Sequence, residues 1–180
     1  HSNLSIQNIT INGSGAGIDA IELGEGGALG GTIVLNNITV NSAGENGIDI
    51  NNVLGAATII GNNITITGSA DDGLDIDDVA SGAVFNFSNV NLMNSVSDGL
   101  IVEDGHGRFT FNNLDVSGST GDGVEIFEST GTFNFDSASS IAGSGDSAFF
   151  IDNFSSLSPV DVNFAGTITH AGTFAAVDIE

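Results

Sequence analysis

A four-residue phrase that recurs at nearly constant spacing constrains the fold of this chain more than any other feature of its sequence. The phrase opens on Gly or Ala, and its second and fourth residues are apolar. Its copies begin at Gly47, Gly73, Gly99, Gly123, Ala148 and Ala176, so the steps are 26, 26, 24, 25 and 28 residues. A period of this length is typical of a solenoid, in which each repeat buries its apolar face only against its neighbours.

Two further phrases keep step with the first, and both alternate apolar with polar residues. One of them covers residues 32–35, 58–60, 84–87, 109–111 and 132–135. The other begins on an asparagine each time, at Asn8, Asn37, Asn63, Asn89 and Asn113. Alternation over three to five residues with many β-branched or aromatic side chains predicts short half-buried strands, and no segment predicts a helix.

Three short strands in about 26 residues leave too little chain for a helical crossover, so equivalent strands must meet as the chain coils around on itself. We therefore predict an all-β fold, a right-handed parallel β-helix with three long sheets and about seven coils. At the usual interstrand distance of ~4.8 Å, the rod is roughly 34 Å long. Residues 1–180 are predicted to form a single domain with no evident caps.

The inward positions of such a coil are apolar throughout. Ile48 and Ile50 are predicted to stack on their counterparts in the coils above and below. From residue 85 onward the second sheet becomes aromatic at alternate positions, which are occupied by Phe85, Phe87, Phe109, Phe111, Phe133 and Phe135. Because a period of two places all of them on one face, we predict an internal phenylalanine stack rather than a ligand platform.

The repeated asparagines lie where the second strand of each coil meets the third, at a tight corner that needs a residue tolerant of positive φ. Stacked one per coil, their amides can hydrogen-bond along the rod. This asparagine ladder, the Gly-apolar-x-apolar strand and the 24 to 28 residue period together resemble the pectin-lyase-like right-handed β-helix superfamily. In character the chain is similar to the non-catalytic bacterial surface and adhesin-type β-helix repeats.

Charge is the most unusual part of the composition. The chain has 23 acidic residues against the single Arg108, and its net charge is -22. Such a balance argues against nucleic acid or an anionic membrane as a partner. No apolar run approaches the roughly 20 residues of a membrane-spanning helix. The chain also lacks cysteine. We expect a secreted or surface-displayed protein, an environment in which such acidic chains are common.

Most of the acids fall in or beside the Gly-Ile-Asp-Ile phrase. The outward positions of that strand are predicted to be Glu22, Asp49, Asp75, Ile101, Glu125, Phe150 and Asp178. Carboxylates stacked every ~4.8 Å repel one another. We expect either a solvated acidic face or one or more Ca²⁺ sites, with no other cofactor. The candidate calcium ligands are Asp71, Asp72, Asp75, Asp77, Asp78, Asp98, Glu103 and Asp104.

An enzyme has to be considered, because the superfamily that the chain resembles contains polysaccharide lyases and hydrolases. Polygalacturonases carry Asn-Thr-Asp-Gly, then Asp-Asp, then Gly-His-Gly, each before the equivalent strand on successive coils. Here Asp72 matches the acid of the first phrase, but Ser97 stands where the first acid of the pair belongs. Asp122 takes the place of the histidine, and no Arg-x-Lys follows. The Gly-His-Gly around His106 follows the strand and is out of register.

We therefore predict that the protein is not an enzyme, because the repeat shows many equivalent acids and no distinguished catalytic pair. A polysaccharide-active or glycan-binding β-helix remains the alternative. Phe127, Phe150 and Phe154 are the candidate sugar-stacking residues for that alternative.

The two ends of the chain are in phase with each other. The chain starts in a second-strand position and stops after a first-strand phrase. Uncovered coils offer unpaired strand edges and bare core, so solenoids need caps or further coils. We expect self-association end to end, or neighbouring coils of a longer chain, in an adhesin-type stalk or head-to-tail filament.

Overall fold

The computed structural model describes residues 3–153 and 159–180, which form sixteen β-strands and no helix. The strands are β1 (Leu4–Asn12), β2 (Ile21–Leu23), β3 (Thr32–Asn41), β4 (Ile48–Ile50), β5 (Thr58–Thr67), β6 (Leu74–Ile76), β7 (Val84–Met93), β8 (Leu100–Glu103), β9 (Arg108–Ser117), β10 (Val124–Phe127), β11 (Thr132–Phe135), β12 (Ser140–Ala142), β13 (Phe149–Asp152), β14 (Asp161–Phe164), β15 (Thr167–Thr169) and β16 (Val177–Ile179). No helix in this part of the chain is long and apolar enough to span a membrane.

The strands pair in two parallel sheets that run the length of the molecule. Sheet A has the order β1-β3-β5-β7-β9-β11-β14, with β12 and β15 continuing it beyond β9. Sheet B has the order β2-β4-β6-β8-β10-β13-β16. Each strand pairs with the strand one turn of the coil away, so the described residues build a β-solenoid of about seven coils. The predicted all-β parallel solenoid is confirmed, and its right-handed winding stays a prediction.

The structure differs from the prediction in its sheet count, because the second and third predicted strands form one continuous ladder. In β3, β5, β7 and β9 a single corner asparagine bends the strand without ending it. Asn37 has a φ of 54° and Asn63 a φ of 53°, and the pairing skips both residues. The coil thus has three faces but two hydrogen-bonded sheets. We call the part of sheet A before the asparagine its first arm and the part after it its second arm.

The core is a set of apolar columns inside the coil. Ile48 and Ile50 of sheet B are fully buried, as predicted. The phenylalanine stack is also confirmed: the ring of Phe109 lies 4.8 Å from that of Phe85 and 4.6 Å from that of Phe133. The parallel column joins Phe87, Phe111 and Phe135 at 5.5 and 5.0 Å. Stacking that repeats at the interstrand distance lets each ring contact equivalent rings above and below.

One glycine makes room for the start of that stack. Leu35, Gly61 and Phe87 occupy the same column in successive coils. A Cβ on Gly61 would lie 2.1 Å from the ring of Phe87, so no side chain fits there. In this column the change from aliphatic to aromatic therefore crosses a position without a side chain, whereas in the neighbouring column Ile59 is followed directly by Phe85.

The glycine that opens the recurrent phrase is required by the close approach of successive coils. A Cβ on Gly73 would lie 2.5 Å from the carbonyl oxygen of Gly99, and one on Gly47 would lie 2.5 Å from that of Gly73. Both contacts are shorter than atoms tolerate. The glycine thus lets the backbone of one coil rest on the backbone of the next just before sheet B begins.

Candidate functional site

The outward face of sheet B carries the predicted column of acids. The register of the sheet aligns Glu22, Asp49, Asp75, Ile101, Glu125, Phe150 and Asp178 in that order. We call this column, together with the acids in the turns before sheet B, the acidic face. Its predicted composition is confirmed residue by residue, because a step of one coil and an alternation of two fix which side chains point outward.

A second column runs beside the first, in the turns that lead into sheet B. It consists of Asp19, Asn46, Asp72, Asp98, Asp122 and Ser147, and we call it the turn ladder. The side-chain Oδ1 of each of the first five residues accepts a hydrogen bond from the backbone N–H of the next, at 2.5 to 3.0 Å. These carboxylates have a structural role, since they satisfy backbone donors that no strand partner reaches. The ladder explains the likeness of Asp72 to a catalytic acid without catalysis.

Three carboxylates of the acidic face come close enough together to share one cation. Asp98 and Asp122 are neighbours in the turn ladder, and Glu125 is the outward residue of β10. One carboxylate oxygen from each lies within 4.8 Å of the others. We call Asp98, Asp122 and Glu125 the carboxylate trio. Carboxylate oxygens are the ligands that Ca²⁺ prefers, and water can supply the remaining positions of its coordination sphere.

Protonation of the trio is strongly biased by its surroundings. Burial, followed by the neighbouring Asp98 carboxylate, raises the pKa of Glu125 to about 8. Burial also raises the pKa of Asp98, which is only 7 % exposed, and raises that of Asp122 to about 6. Glu125 is therefore the more readily protonated partner of the pair, and its proton can be donated to the Asp98 carboxylate. A cation bound by the trio would replace that proton.

The pKa values of acids nearer the start of sheet B are raised as well. Burial, then Asp72 and Asp49, raise the pKa of Asp75 to about 8. Burial is also the main cause that raises the pKa of Asp49 and of Asp72 to about 6. Asn46 relieves part of this repulsion, because its side-chain amide donates to the Asp75 carboxylate at 3.2 Å. Burial and mutual repulsion thus raise the pKa of these acids, which makes this part of the acidic face easier to protonate than a set of exposed carboxylates.

The eight predicted calcium ligands lie in the turns before sheet B, in its outward column and where its strands end, and the charges of Asp77, Glu103 and Asp104 act on one another. Asp98 alone of the eight belongs to the carboxylate trio. Asp72 lies in the turn ladder, and Asp75 lies in the outward column. Asp78 and Asp104 adopt positive φ angles of 49° and 47° in the turns that follow β6 and β8. The remaining predicted ligands are Asp71 before β6, Asp77 after it, and Glu103 at the end of β8. Calcium binding by this set stays a prediction.

Asp122 and Glu125 are the two trio members that the predicted ligand set lacked. The prediction followed the densest cluster of acids along the sequence, between residues 71 and 78, together with Asp98, Glu103 and Asp104 one coil on. The trio instead joins acids of different coils, since Asp98 and Asp122 are one 24-residue step apart. That step is visible in the sequence and was the signal that could have found them.

Aromatic side chains lie beside the trio as well. Phe150, half-buried on sheet B, and Phe174, which is 59 % exposed, line a groove of about 180 Å³ with Asp122, Asp146, Ser147, Asp178 and Glu180. Phe127 is half-buried at the end of β10, and Phe154 lies outside the described residues. His106 lies in the turn between β8 and β9, as predicted, with its ring Nδ1 2.9 Å from the Thr130 hydroxyl.

Comparison of the chain with family models, with curated proteins and with solved structures finds no match. The parallel β-solenoid fold and the geometry of the acidic face are therefore the grounds for a functional proposal.

Proposed function

We propose that this protein is an extracellular structural β-solenoid, an adhesin-type stalk or a filament subunit, that Ca²⁺ stabilises along its acidic face. The carboxylate trio is the observation that carries this proposal. The trio puts three hard oxygen ligands at one point of a rod that is otherwise built from repeated structural columns. The corner asparagine ladder supports a relationship to the pectin-lyase-like β-helices, and the composition supports a secreted or surface location.

The rod itself is suited to a load-bearing role. Successive coils are joined by long parallel ladders: β5 and β7 pair at nine positions, five before the corner asparagine and four after it. Each coil buries its apolar columns against the next, so the molecule is stiff along its axis. The repetition of one unit favours a spacer over a catalyst.

The last coil offers an apolar edge that a further coil would cover. Val177 and Ile179 of β16 are 49 % and 69 % exposed. With Phe149, Ile151, Val160, Val162, Phe164 and Ile168 they line a groove of about 530 Å³. A further coil of the same polypeptide, or the first coil of a second copy, would bury this surface in the way that internal coils bury theirs.

Melting of the purified protein with Ca²⁺ or with a chelator tests the calcium part. We expect Ca²⁺ to raise the melting temperature by several degrees at neutral pH, because a ligand that binds only the folded state stabilises it by about 2.7 kcal/mol at 100 times its dissociation constant. The variant Asp122→Asn with Glu125→Gln should lose this response. Asp161→Asn, which removes an acid from the first arm of sheet A, should keep it. Equal melting temperatures with Ca²⁺ and with chelator would refute calcium stabilisation.

Electron microscopy of the same samples tests the assembly part. Fibres of constant width support the filament, and uniform short rods support a stalk segment. Compact particles of variable shape would contradict both forms of the structural proposal.

The trio also favours a second candidate, a glycan-active or glycan-binding function. A carboxyl group with a raised pKa beside a second carboxylate can act as a general acid, and Glu125 beside Asp98 is such a group. The groove with Phe150 and Phe174 lies next to them. Release of reducing ends from neutral or acidic polysaccharides, lost in Glu125→Gln, would support this candidate. Its absence across a broad polysaccharide panel would remove the hydrolytic form.

A further inference from the structure

The second arm of sheet A carries a polar groove that the proposed function does not use. The groove holds about 320 Å³ and is lined by Asn37, Thr39, Asn63, Thr65, Asn89 and Asn91. Its two ranks repeat once per coil: the corner asparagines form one, and Thr39, Thr65 and Asn91 form the other. We call this surface the Asn–Thr face. It forms a ridge with a furrow beside it, both parallel to the rod axis.

The ridge has unused hydrogen-bonding capacity. The Asn63 amide donates one N–H to the side-chain oxygen of Asn37 at 3.0 Å, and Asn89 does the same to Asn63 at 3.1 Å. An amide has two N–H donors and an oxygen with two lone pairs, so Asn37 and Asn63 each keep one N–H and one lone pair available, while the Asn89 amide also donates to the Asn62 side-chain oxygen at 3.5 Å. Within the described residues the hydroxyls of Thr39 and Thr65 make no hydrogen bond to other protein groups. The face therefore presents donors and acceptors in equal supply.

The face is also uncharged in a chain whose net charge is -22. The outward rank Thr10, Thr39, Thr65, Asn91 contains no ionisable side chain over four coils, and the first acid of the rank is Asp115. Two copies that met through their acidic faces would place ladders of carboxylates against each other. Two copies that met through the Asn–Thr face would not, and their acids would stay solvated.

We propose that the Asn–Thr face binds the same face of a second copy of this chain, in a two-fold symmetric lateral dimer. The repeat along the ridge is the interstrand distance, ~4.8 Å, which a second copy matches over every coil. The asparagine ridge of each copy lies in the furrow of the other, and amides that donate and accept equally are self-complementary, as an isologous interface requires. This dimer is independent of calcium binding and of any end-to-end contact.

Sedimentation equilibrium of the whole chain over a range of concentrations tests the proposal. We expect a monomer–dimer equilibrium that tightens as sodium chloride is raised, because salt screens the repulsion between two strongly negative molecules. Thr65→Glu should weaken dimerisation about 100-fold, since it buries like charges against each other. Thr58→Glu is the matched control, because Thr58 is an outward, half-buried threonine of the same strand on the first arm, and it should dimerise like the unmodified chain. Circular dichroism and melting show that both variants fold.

Cross-linking gives a second readout in a chain without cysteine. Thr65→Cys should form a disulfide dimer under mild oxidation, and Thr58→Cys should not. A monomer at every concentration overturns the proposal, and so does a dimer that Thr65→Glu leaves unchanged. Binding of the monomer to a neutral glucan, lost in Thr65→Glu, would assign the furrow to a glycan and would equally overturn it.

Discussion

The two sheets share one coil and one set of packing rules, yet their outer surfaces are chemically opposite. Sheet B presents a column of acids, and burial and mutual repulsion raise the pKa of Asp75 and Glu125 to about 8. The second arm of sheet A presents amides and hydroxyls, with no charge from Thr10 to Asn91. Their inner columns are alike in being fully apolar. The inward residues of a solenoid therefore fix its fold, while the outward residues are free to give each face a separate role.

The same contrast separates two kinds of stacking. Repetition stabilises the inner stack of phenylalanines, because each ring contacts equivalent rings in the neighbouring coils. Repetition destabilises the outer stack of carboxylates, because like charges repel one another at the same short distance. Asn46, Ile101 and Phe150 interrupt the carboxylates, and each separates acids that would otherwise be neighbours along the face.

The largest expected change in stability comes from a substitution inside the coil, where the contrast between the inner and outer stacks can be tested. Phe109→Ala removes the middle ring of a fully buried stack, and large-to-small changes of this kind cost about 3–5 kcal/mol. Thr110→Ala, the next residue along and outward, should change stability by less than about 0.5 kcal/mol. Urea denaturation of both variants measures the difference. Similar midpoints for the two would mean that the aromatic column does not hold the coils together.

A smaller effect is expected in the turn ladder. Asp72→Ala removes the acceptor of the buried Asp98 N–H, whereas Asp72→Asn keeps an acceptor and resembles the natural Asn46. The alanine variant should be less stable than the asparagine variant by about 1–3 kcal/mol, the cost of an unpaired buried donor. The comparison cancels the charge that both variants lose. If the two variants denature at the same urea concentration, the ladder is not structural.

The smallest expected change is in how the stability of the folded chain depends on pH. Carboxyls whose folded pKa is raised contribute stability that is fully present below their unfolded pKa and is lost as pH rises through the folded value. With Asp49, Asp72 and Asp122 near 6 and with Asp75 and Glu125 near 8, the melting temperature in chelator should fall steadily between pH 4 and pH 9.

One variant measures how much the Asp75 carboxyl alone contributes to this pH dependence. Asp75→Asn removes the charge and should raise the melting temperature at pH 9 by a few degrees, or about 1 kcal/mol after solvent screening. At pH 5 it should change little, since Asp75 is then already neutral. A melting temperature that rises from pH 5 to pH 9 in the unmodified chain would show that the acidic face is not strained by its own charge.

Most of the fold could be predicted from the sequence, because the same short phrases recur once in nearly every coil. The order of the outward column from Glu22 to Asp178 follows from a coil step near 26 residues and an alternation of two. The sheet count could not be predicted in the same way. A sequence shows that Asn63 tolerates a positive φ, but it does not show whether the strand ends there or bends and continues.

The candidate site was less accessible to the same reasoning. Acids crowded along the chain, such as Asp77 and Asp78, lie together after β6, where the Asp77 carboxylate accepts a hydrogen bond from the Asp78 backbone N–H. Acids far apart along the chain, such as Asp98 and Glu125, are brought together because one coil rests on the next. Closeness in sequence and closeness in space are different quantities, and a metal ion responds only to the second.

The sequence by itself determined the period, the inward columns and the side of the rod on which the acids lie, because these depend only on spacing and alternation. Tertiary structure alone decided which carboxylates lie close to one another, and which polar ranks line a furrow. Those properties depend on burial and on distances of a few ångströms between coils. Such distances are set by how the backbone packs at positions like Gly61 and Gly73, where a missing side chain lets neighbouring coils close up.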